Sequence, residues 1–270
     1  MASAEAIGRS FTDPDVALEW SDGHRYSPAP RHRRRLLVKW MEALEFGDVL
    51  DAGCAQPFLL QDIVNRYHVP AYGCDLSPRV VAENQSVLPD CDFRVLDLAR
   101  ERWPEDRQFD LVVCSEVLEH IEDWEAALAN VVRMARKHIL ITVPGGPLCA
   151  MDRIVGHHRH YQGTELTGVM EKLGCGIVRQ RSWGWPLHSA YKASISLLSP
   201  DSLYRSFSGG ARYGPVKKAL SELLYRAFFA NDLVGRGHQL LVLATPPTPA
   251  RLPSQHLSHD QARVGAIGEN

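Results

Sequence analysis

Between residues 48 and 64 the chain reads DVLDAGCAQPFLLQDIV, and few folds accommodate that order of residue types. Val49 and Leu50 form a short apolar run into Asp51. A turn follows at Ala52-Gly53-Cys54-Ala55, and Pro57 then leads an amphipathic segment with Phe58, Leu59, Leu60 and Ile63. Proline suits the first turn of a helix, where its missing N–H would have had no partner. The stretch is therefore predicted to be strand, tight turn and helix. A glycine in such a turn lets a ligand approach bare backbone at the carboxyl end of a parallel strand, beside a helix N-terminus. A nucleotide-like cofactor is the natural occupant, although any α/β domain contains units of this kind packed for structure alone.

The punctuation that follows is regular. A second strand over 70–75 ends in Asp75, at about the separation where nucleotide folds place a carboxylate to accept from ribose hydroxyls. A third, over 91–97, ends in Asp97, and a fourth, over 109–114, flows into Ser115-Glu116. Further strands are predicted at 137–143, 175–182 and 239–244, with helices at 30–45, from Pro57, at 78–86, 124–136 and 164–173. Alternation of this sort argues for a mostly parallel sheet wound on both faces.

The series VLDAGC, GCDLS, VLDL and FDLVVCSEVLEHI resembles the class I S-adenosylmethionine-dependent methyltransferase family, over about 49–173 plus the final strand. The resemblance implies an α/β fold with a doubly wound, mostly parallel seven-stranded sheet, and S-adenosyl-L-methionine as cofactor. It implies Asp51 and Gly53, with Cys54 and Ala55 in the same turn, at the methionine end. It also implies Asp75 and Leu76 at the ribose, Asp97 with Leu98 at the adenine, and Ser115-Glu116 closing the pocket. This chain departs from the family's Gly-Cys-Gly-x-Gly by reading Gly53-Cys54-Ala55-Gln56-Pro57, so the turn is expected to avoid positive φ at Ala55. The lack of Gly-x-Gly-x-x-Gly there argues against a nicotinamide dehydrogenase.

After the fifth strand, Pro144-Gly145-Gly146-Pro147 makes a sharp turn that delivers Gly156-His157-His158-Arg159-His160-Tyr161 toward the same sheet edge. A subset of bacterial methyltransferases looks similar here, which implies that His157, Arg159, His160 and Tyr161 form a substrate-side cluster; the plainer alternative is that they anchor the loop. Imidazole suits a general base near neutral pH. His120 is the first candidate, with His157 and His160 next; for an acceptor that is already nucleophilic they would only position it. Glu116, Glu119 and His120 also resemble the Glu-x-x-Glu-His of a few metal-assisted methyltransferases, and carboxylate with imidazole suits a divalent ion. The same letters recur in metal-free relatives, and no metal ligand is assigned.

With 270 residues and 45% hydrophobic content the chain can bury a sizeable core, and its net charge of −2 argues against a general polyanion binder. Arg31-His32-Arg33-Arg34-Arg35 is a local basic cluster, read either as a solvated helix face or as a nucleic-acid contact. No window approaches the roughly 18 apolar residues of a membrane-spanning helix and the start lacks a secretory layout, so a cytoplasmic protein is expected. The six cysteines show no close pairs and fit buried reduced thiols. The expected organisation is a helical cover over 1–47 with His24, Arg25 and Tyr26 in a loop, a cofactor-binding core over 48–183, and a helical insertion over 184–236. The last core strand follows at 237–245, then a disordered tail over 246–270. The insertion, with helix-like runs at 187–198 and 216–229, is read as a substrate cap, a homodimer interface or a membrane-contacting surface, in that order. The leading function is methyl transfer to a hydroxyl of a small specialised metabolite or sugar-containing acceptor. The alternatives are a metal-assisted methyltransferase of RNA or other nucleic acid, and a non-methylating relative serving as cyclase or scaffold.

Overall fold

The computed structural model describes residues 21–196 and 212–248. Phe11, Val16, Leu18 and Trp20, the Ser208-Gly209-Gly210 separator and the tail from 249 onward lie outside the described residues. Two helices, α1 (Ser21–Tyr26) and α2 (Pro28–Met41), precede strand β1 (Val49–Ala52). Then come α3 (Phe58–Tyr67), β2 (Ala71–Asp75), α4 (Pro78–Val87), β3 (Asp92–Val95), β4 (Phe109–Ser115), α5 (Trp124–Met134) and β5 (Ala135–Pro144). The chain continues through α6 (Ala150–Ile154), α7 (Gly163–Lys172), β6 (Gly176–Trp183), α8 (Leu187–Ser196), α9 (Pro215–Ala227) and β7 (Gln239–Thr245).

Local chemistry sets these boundaries. Ser77 accepts from the Val80 N–H and Pro78 opens α4, while Asp123 caps α5 through the Ala126 N–H. Gln162 and Glu165 form a reciprocal capping box at the start of α7. His24, Arg25 and Tyr26 are helical, not a loop. The α1 helix ends on a carbonyl, that of His24, which accepts from Arg34 Nη1 at 2.7 Å. α5 stops at Met134, short of Arg136. Ala135 is already extended and paired with Phe109, and Arg136 and Lys137 turn their cations to Asp110 at 2.6 and 2.9 Å. β3 likewise ends at Val95, so Asp97 lies beyond the strand, where its Oδ1 accepts from the Ala99 N–H and bends the chain away from the sheet.

The seven strands run in the order β3-β2-β1-β4-β5-β7-β6. The first five in that order are parallel, and β7 is antiparallel to both β5 and β6. Each face of the sheet carries its own apolar layer. One is built on Leu50, Val112, Ile139 and Val242 under Trp124, Leu128 and Met170, the other on Val49, Leu111, Leu140 and Leu241 under Leu36, Trp40, Leu60 and Ile63. These alternating residues of β1, β4, β5 and β7 are what make the sheet two-sided. Strand order reverses between β1 and β4, and in open α/β sheets the crevice at that reversal, outside the carboxyl ends of the strands, is where ligands sit.

Candidate active site

The turn after β1 is held by backbone at its first half and by side chains at its second. Gly53 and Cys54 both donate to the Cys74 carbonyl, at 2.8 and 2.9 Å, which pins the turn to the end of β2. Gly53 has φ +80°, and a Cβ there would sit 2.5 Å from Val117 Cγ2. Glycine is therefore required both by conformation and by the close approach of the segment after β4. Ala55 overturns the expectation of negative φ: it is left-handed, with φ 42°. Two bonds hold it there, one from its N–H to Asp75 Oδ2 at 3.0 Å and one from Asn84 Nδ2 to its carbonyl at 2.7 Å. The geometry of the missing second glycine is thus kept by side chains from β2 and α4, against a strain cost of about 1–3 kcal/mol.

Asp75 organises the neighbouring loop too. Its Oδ1 accepts from the Ser77 N–H at 3.0 Å, and its carbonyl accepts from the Leu96 N–H at 3.0 Å, bringing the exit of β3 to the same edge. Burial raises the Asp75 carboxyl pKa against the pull of those amides. Asp51, buried in β1, is pushed up to about 7, by burial first and by Asp75 second. Leu76 is half exposed beside Asp75. Leu98 is buried, and its carbonyl accepts from Asn130 Nδ2 at 2.9 Å. At the end of β4, Ser115 Oγ meets Thr142 Oγ1 at 3.0 Å, and Glu116 adopts φ 57° while its N–H donates to the Thr142 carbonyl at 2.9 Å. Glu116 Oε2 pairs with Arg33 at 3.2 Å, while its Oε1 is buried without a partner. The residues expected to bind a cofactor therefore lie along one edge, on the ends of β1, β2 and β4 and just past β3.

The arginines of α2 are neither a solvated face nor a free polyanion contact. Arg31 pairs with Glu222 at 2.8 Å, Arg33 with Glu116, Arg34 with Asp62 at 3.2 Å, and Arg35 with Asp232. They fasten the cover helix to α3, to the end of β4 and to the insertion. His24 on α1 contacts Gln56 Oε1, which lays the first helix against the turn after β1.

The three candidate histidines come together on the other side of β4. His120 sits in a 3-10 turn (Leu118–His120), and its ring packs edge-on against His157 with centroids 4.7 Å apart. The loop after β5 is tied to that turn by the His158 N–H, which donates to the Glu119 carbonyl at 2.8 Å. His157 Nδ1 lies 3.1 Å from His160 Nε2, His160 Nδ1 lies 3.2 Å from the Gly146 carbonyl, and His160 Nε2 is 3.4 Å from Asp152 Oδ2. Asp152 also accepts from the Cys149 N–H at 2.8 Å and from Lys192 of α8 at 3.2 Å. Burial is the leading cause that lowers all three imidazoles, to about 4 for His120 and about 3 for His157, so each is neutral at pH 7. Arg159 reaches the Glu122 carbonyl at 3.1 Å, and Tyr161 is buried against Trp124 with its phenol oxygen unpartnered.

Glu119 is fully buried and neither carboxylate oxygen has a hydrogen-bond partner; burial, then Glu116, push its pKa well up. Ligand atoms of Glu119, His120 and His157 lie within 4.8 Å of one another, as do those of Asp152, His157 and His160. Glu116, engaged by Arg33, belongs to neither group. Sequence reasoning did not assign Asn84, Asp152, Lys192 or Arg33 to the site. Asn84 was detectable as a polar residue four after Val80 on the buried face of α4; Lys192 carries no local signal at all.

A parallel-sheet switch point, a backbone-lined glycine turn and acids at successive strand ends define a nucleotide-cofactor enzyme of the Rossmann-like kind. Comparison with known proteins is specific. The profile of the methyltransferase-domain family matches residues 23–180. The chain belongs to that family and is a class I S-adenosylmethionine-dependent methyltransferase. It is 27% identical over 186 residues to ajmaline N-methyltransferase of Rauvolfia serpentina, an alignment that covers 63% of this chain and spans 60% of that relative's length. Among solved structures it is similar in fold to the N-methyltransferase NodS of Bradyrhizobium japonicum with S-adenosylhomocysteine. That match has a TM-score of 0.57 and 16% identity, covering 88% of this chain and 98% of that one. It is also similar to phosphoethanolamine N-methyltransferase 2 of Haemonchus contortus with S-adenosyl-L-methionine, with a TM-score of 0.60 and 14% identity, covering 92% of this chain and 61% of that one. S-Adenosylmethionine is the cofactor. The residues on the edge fit it: the turn at Gly53 leaves bare backbone, and Glu116 offers a buried, unpartnered oxygen.

Proposed function

We propose that the chain methylates a hydroxyl of a small acceptor, with His157 receiving the proton and His160 and Asp152 settling the charge. The observation that carries this reading is the ordered chain of imidazoles. The Gly146 carbonyl takes the proton on His160 Nδ1, so His160 Nε2 accepts from His157 Nδ1–H, and His157 Nε2 keeps a lone pair. A proton arriving at His157 Nε2 lets the Nδ1 proton pass to His160 Nε2, beside the Asp152 carboxylate. An imidazole held near pKa 3 is a weak base. It suffices here, because a hydroxyl proton becomes strongly acidic as its oxygen bonds to carbon.

S-Adenosylmethionine supplies an electrophilic methyl group on a sulfonium. In this reading Asp51, Gly53, Cys54 and Ala55 hold its methionine end, Asp75 and Leu76 its ribose, Asp97 and Leu98 its adenine, and Ser115 and Glu116 close over it. Holding donor and acceptor in line lowers such a barrier by about 7–11 kcal/mol. The insertion takes part as a cap, since Lys192 of α8 reaches Asp152. A sugar-containing or other specialised metabolite handled in the cytoplasm fits a capped site of this kind.

The unpartnered Glu119 carboxylate favours a second reading, in which Glu119, His120 and His157 hold a divalent cation that grips the acceptor. Incubation with methyl-labelled S-adenosylmethionine and paired hydroxyl and amine acceptors, read by mass spectrometry, tests both. Label on oxygen, resistant to chelator, supports the base. Transfer to amines alone contradicts it, and chelator-sensitive transfer supports the metal.

A further inference from the structure

The insertion ends in a helix that is turned inside out. Val216, Leu220, Leu223 and Leu224 of α9 share one face by their spacing, and they are 81, 54, 65 and 45% exposed. The opposite face meets the protein with polar groups. Ser221 is buried, Glu222 pairs with Arg31 at 2.8 Å, and the Arg31 guanidinium lies 3.8 Å over the Tyr225 ring. A helix of a water-soluble domain normally docks the other way round. Leu233 and Val234, 83 and 38% exposed, add apolar surface just past the helix.

Charge selects what this face meets. At 100° per residue, Lys217 and Arg226 fall on the two flanks of the apolar stripe, and Glu222, the only acid of α9, is shared by Arg31 at 2.8 Å and Arg226 at 3.2 Å. Arg236 follows, and beside the helix a cleft of about 690 Å³ is lined by Lys39 and by Arg31, Arg34, Arg35 and Arg66, which are paired with Glu222, Asp62, Asp232 and Glu42. An apolar stripe between long cationic side chains suits a headgroup–acyl boundary, where lysine and arginine stems lie on apolar surface and their heads reach phosphate. A two-fold contact with a second copy would instead bring like-charged flanks together, with Glu222 already shared between Arg31 and Arg226.

We propose that the outward face of α9 docks the protein on an anionic lipid surface. Since α8 of the same insertion reaches Asp152, docking would also bring the acceptor side toward the bilayer; that consequence rests on the methyl-transfer reading, whereas the docking does not. The test is co-sedimentation of the full chain with vesicles of equal parts phosphatidylcholine and phosphatidylglycerol, against phosphatidylcholine alone. Binding is expected only with phosphatidylglycerol and should weaken with salt. Leu220→Glu and Leu223→Glu should each lower it by roughly tenfold or more, and Lys217→Glu by about fivefold. All three sites are exposed, so circular dichroism and S-adenosylhomocysteine binding should be unchanged. The proposal is overturned if the folded chain ignores anionic vesicles, if the glutamate variants bind as well as wild type, or if Leu223→Glu dissolves a solution dimer without altering vesicle binding.

Discussion

The two halves of the active-site edge are built differently. On the β1-β2 side backbone amides converge on one carbonyl and one carboxylate. Gly53, Cys54, Ala55, Ser77 and Leu96 all donate to the carbonyl of Cys74 or to Asp75. On the β5 side side chains hold one another, in the run Gly146, His160, His157, with Asp152 and Lys192 behind, and buried polar atoms of Glu119 and Tyr161 are left unmet. Amides gathered by a single carboxylate leave backbone facing the ligand, which suits one common to a whole family. A site of mutually supporting side chains can be altered residue by residue, as changing acceptors requires.

The comparison predicts mutations that separate the halves. His157→Gln should cut kcat on a hydroxyl acceptor by roughly 10²–10⁴-fold, with S-adenosylhomocysteine affinity unchanged in calorimetry; a parallel loss of affinity would mean the halves are one unit. Gly53→Ala should act in the opposite half, lowering unfolding free energy by about 1–3 kcal/mol through its left-handed φ, together with loss of cofactor affinity, both measurable by denaturant titration and calorimetry. Acid should weaken the fold through its buried histidines, which lie in the cover helices and the insertion as well as at the β5 edge. His24 of α1, His32 of α2, His120, His157 and His188 of α8 are held near 3–4 in the folded chain, chiefly by burial, against 6.5 when unfolded. Below 6.5 these imidazoles take up protons only in the unfolded chain, so their contribution to stability falls with pH through that window, while Asp51, Asp75 and Glu119, raised in the folded chain, act in the opposite direction. Melting temperature should drop by about 2–4 °C for each kcal/mol lost between pH 7 and 5. The smallest effect belongs to Arg33→Ala. Removing its pair with Glu116 should raise the KM for S-adenosylmethionine by at most about fivefold, and no change would show that the cover helix leaves the pocket indifferent.

The same contrast explains what was legible in the sequence. Strand ends and the glycine turn are local patterns, so Asp51, Gly53, Asp75 and Ser115 could be placed on one edge by spacing. Ala55 was misread because conformation was inferred from the residue alone, whereas the left-handed turn is held by Asp75 and Asn84, separated from it by 20 and 29 residues. The arginines of α2 look like a free basic cluster only while Glu222 and Asp232, some 190 residues further on, are out of view. Lys192 reaches Asp152 across 40 residues, and nothing in its own helix signals that contact.

Calorimetric titration of S-adenosylhomocysteine into the wild-type chain and into Asp75→Ala addresses the shared edge most directly. Saturable one-to-one binding is expected for wild type. In the variant, loss of two charge-assisted bonds to backbone amides should weaken binding by about a hundredfold or more. A folded wild-type chain that gives no heat, or a folded variant that binds as tightly as wild type, would contradict the placement of the cofactor at Gly53 and Asp75.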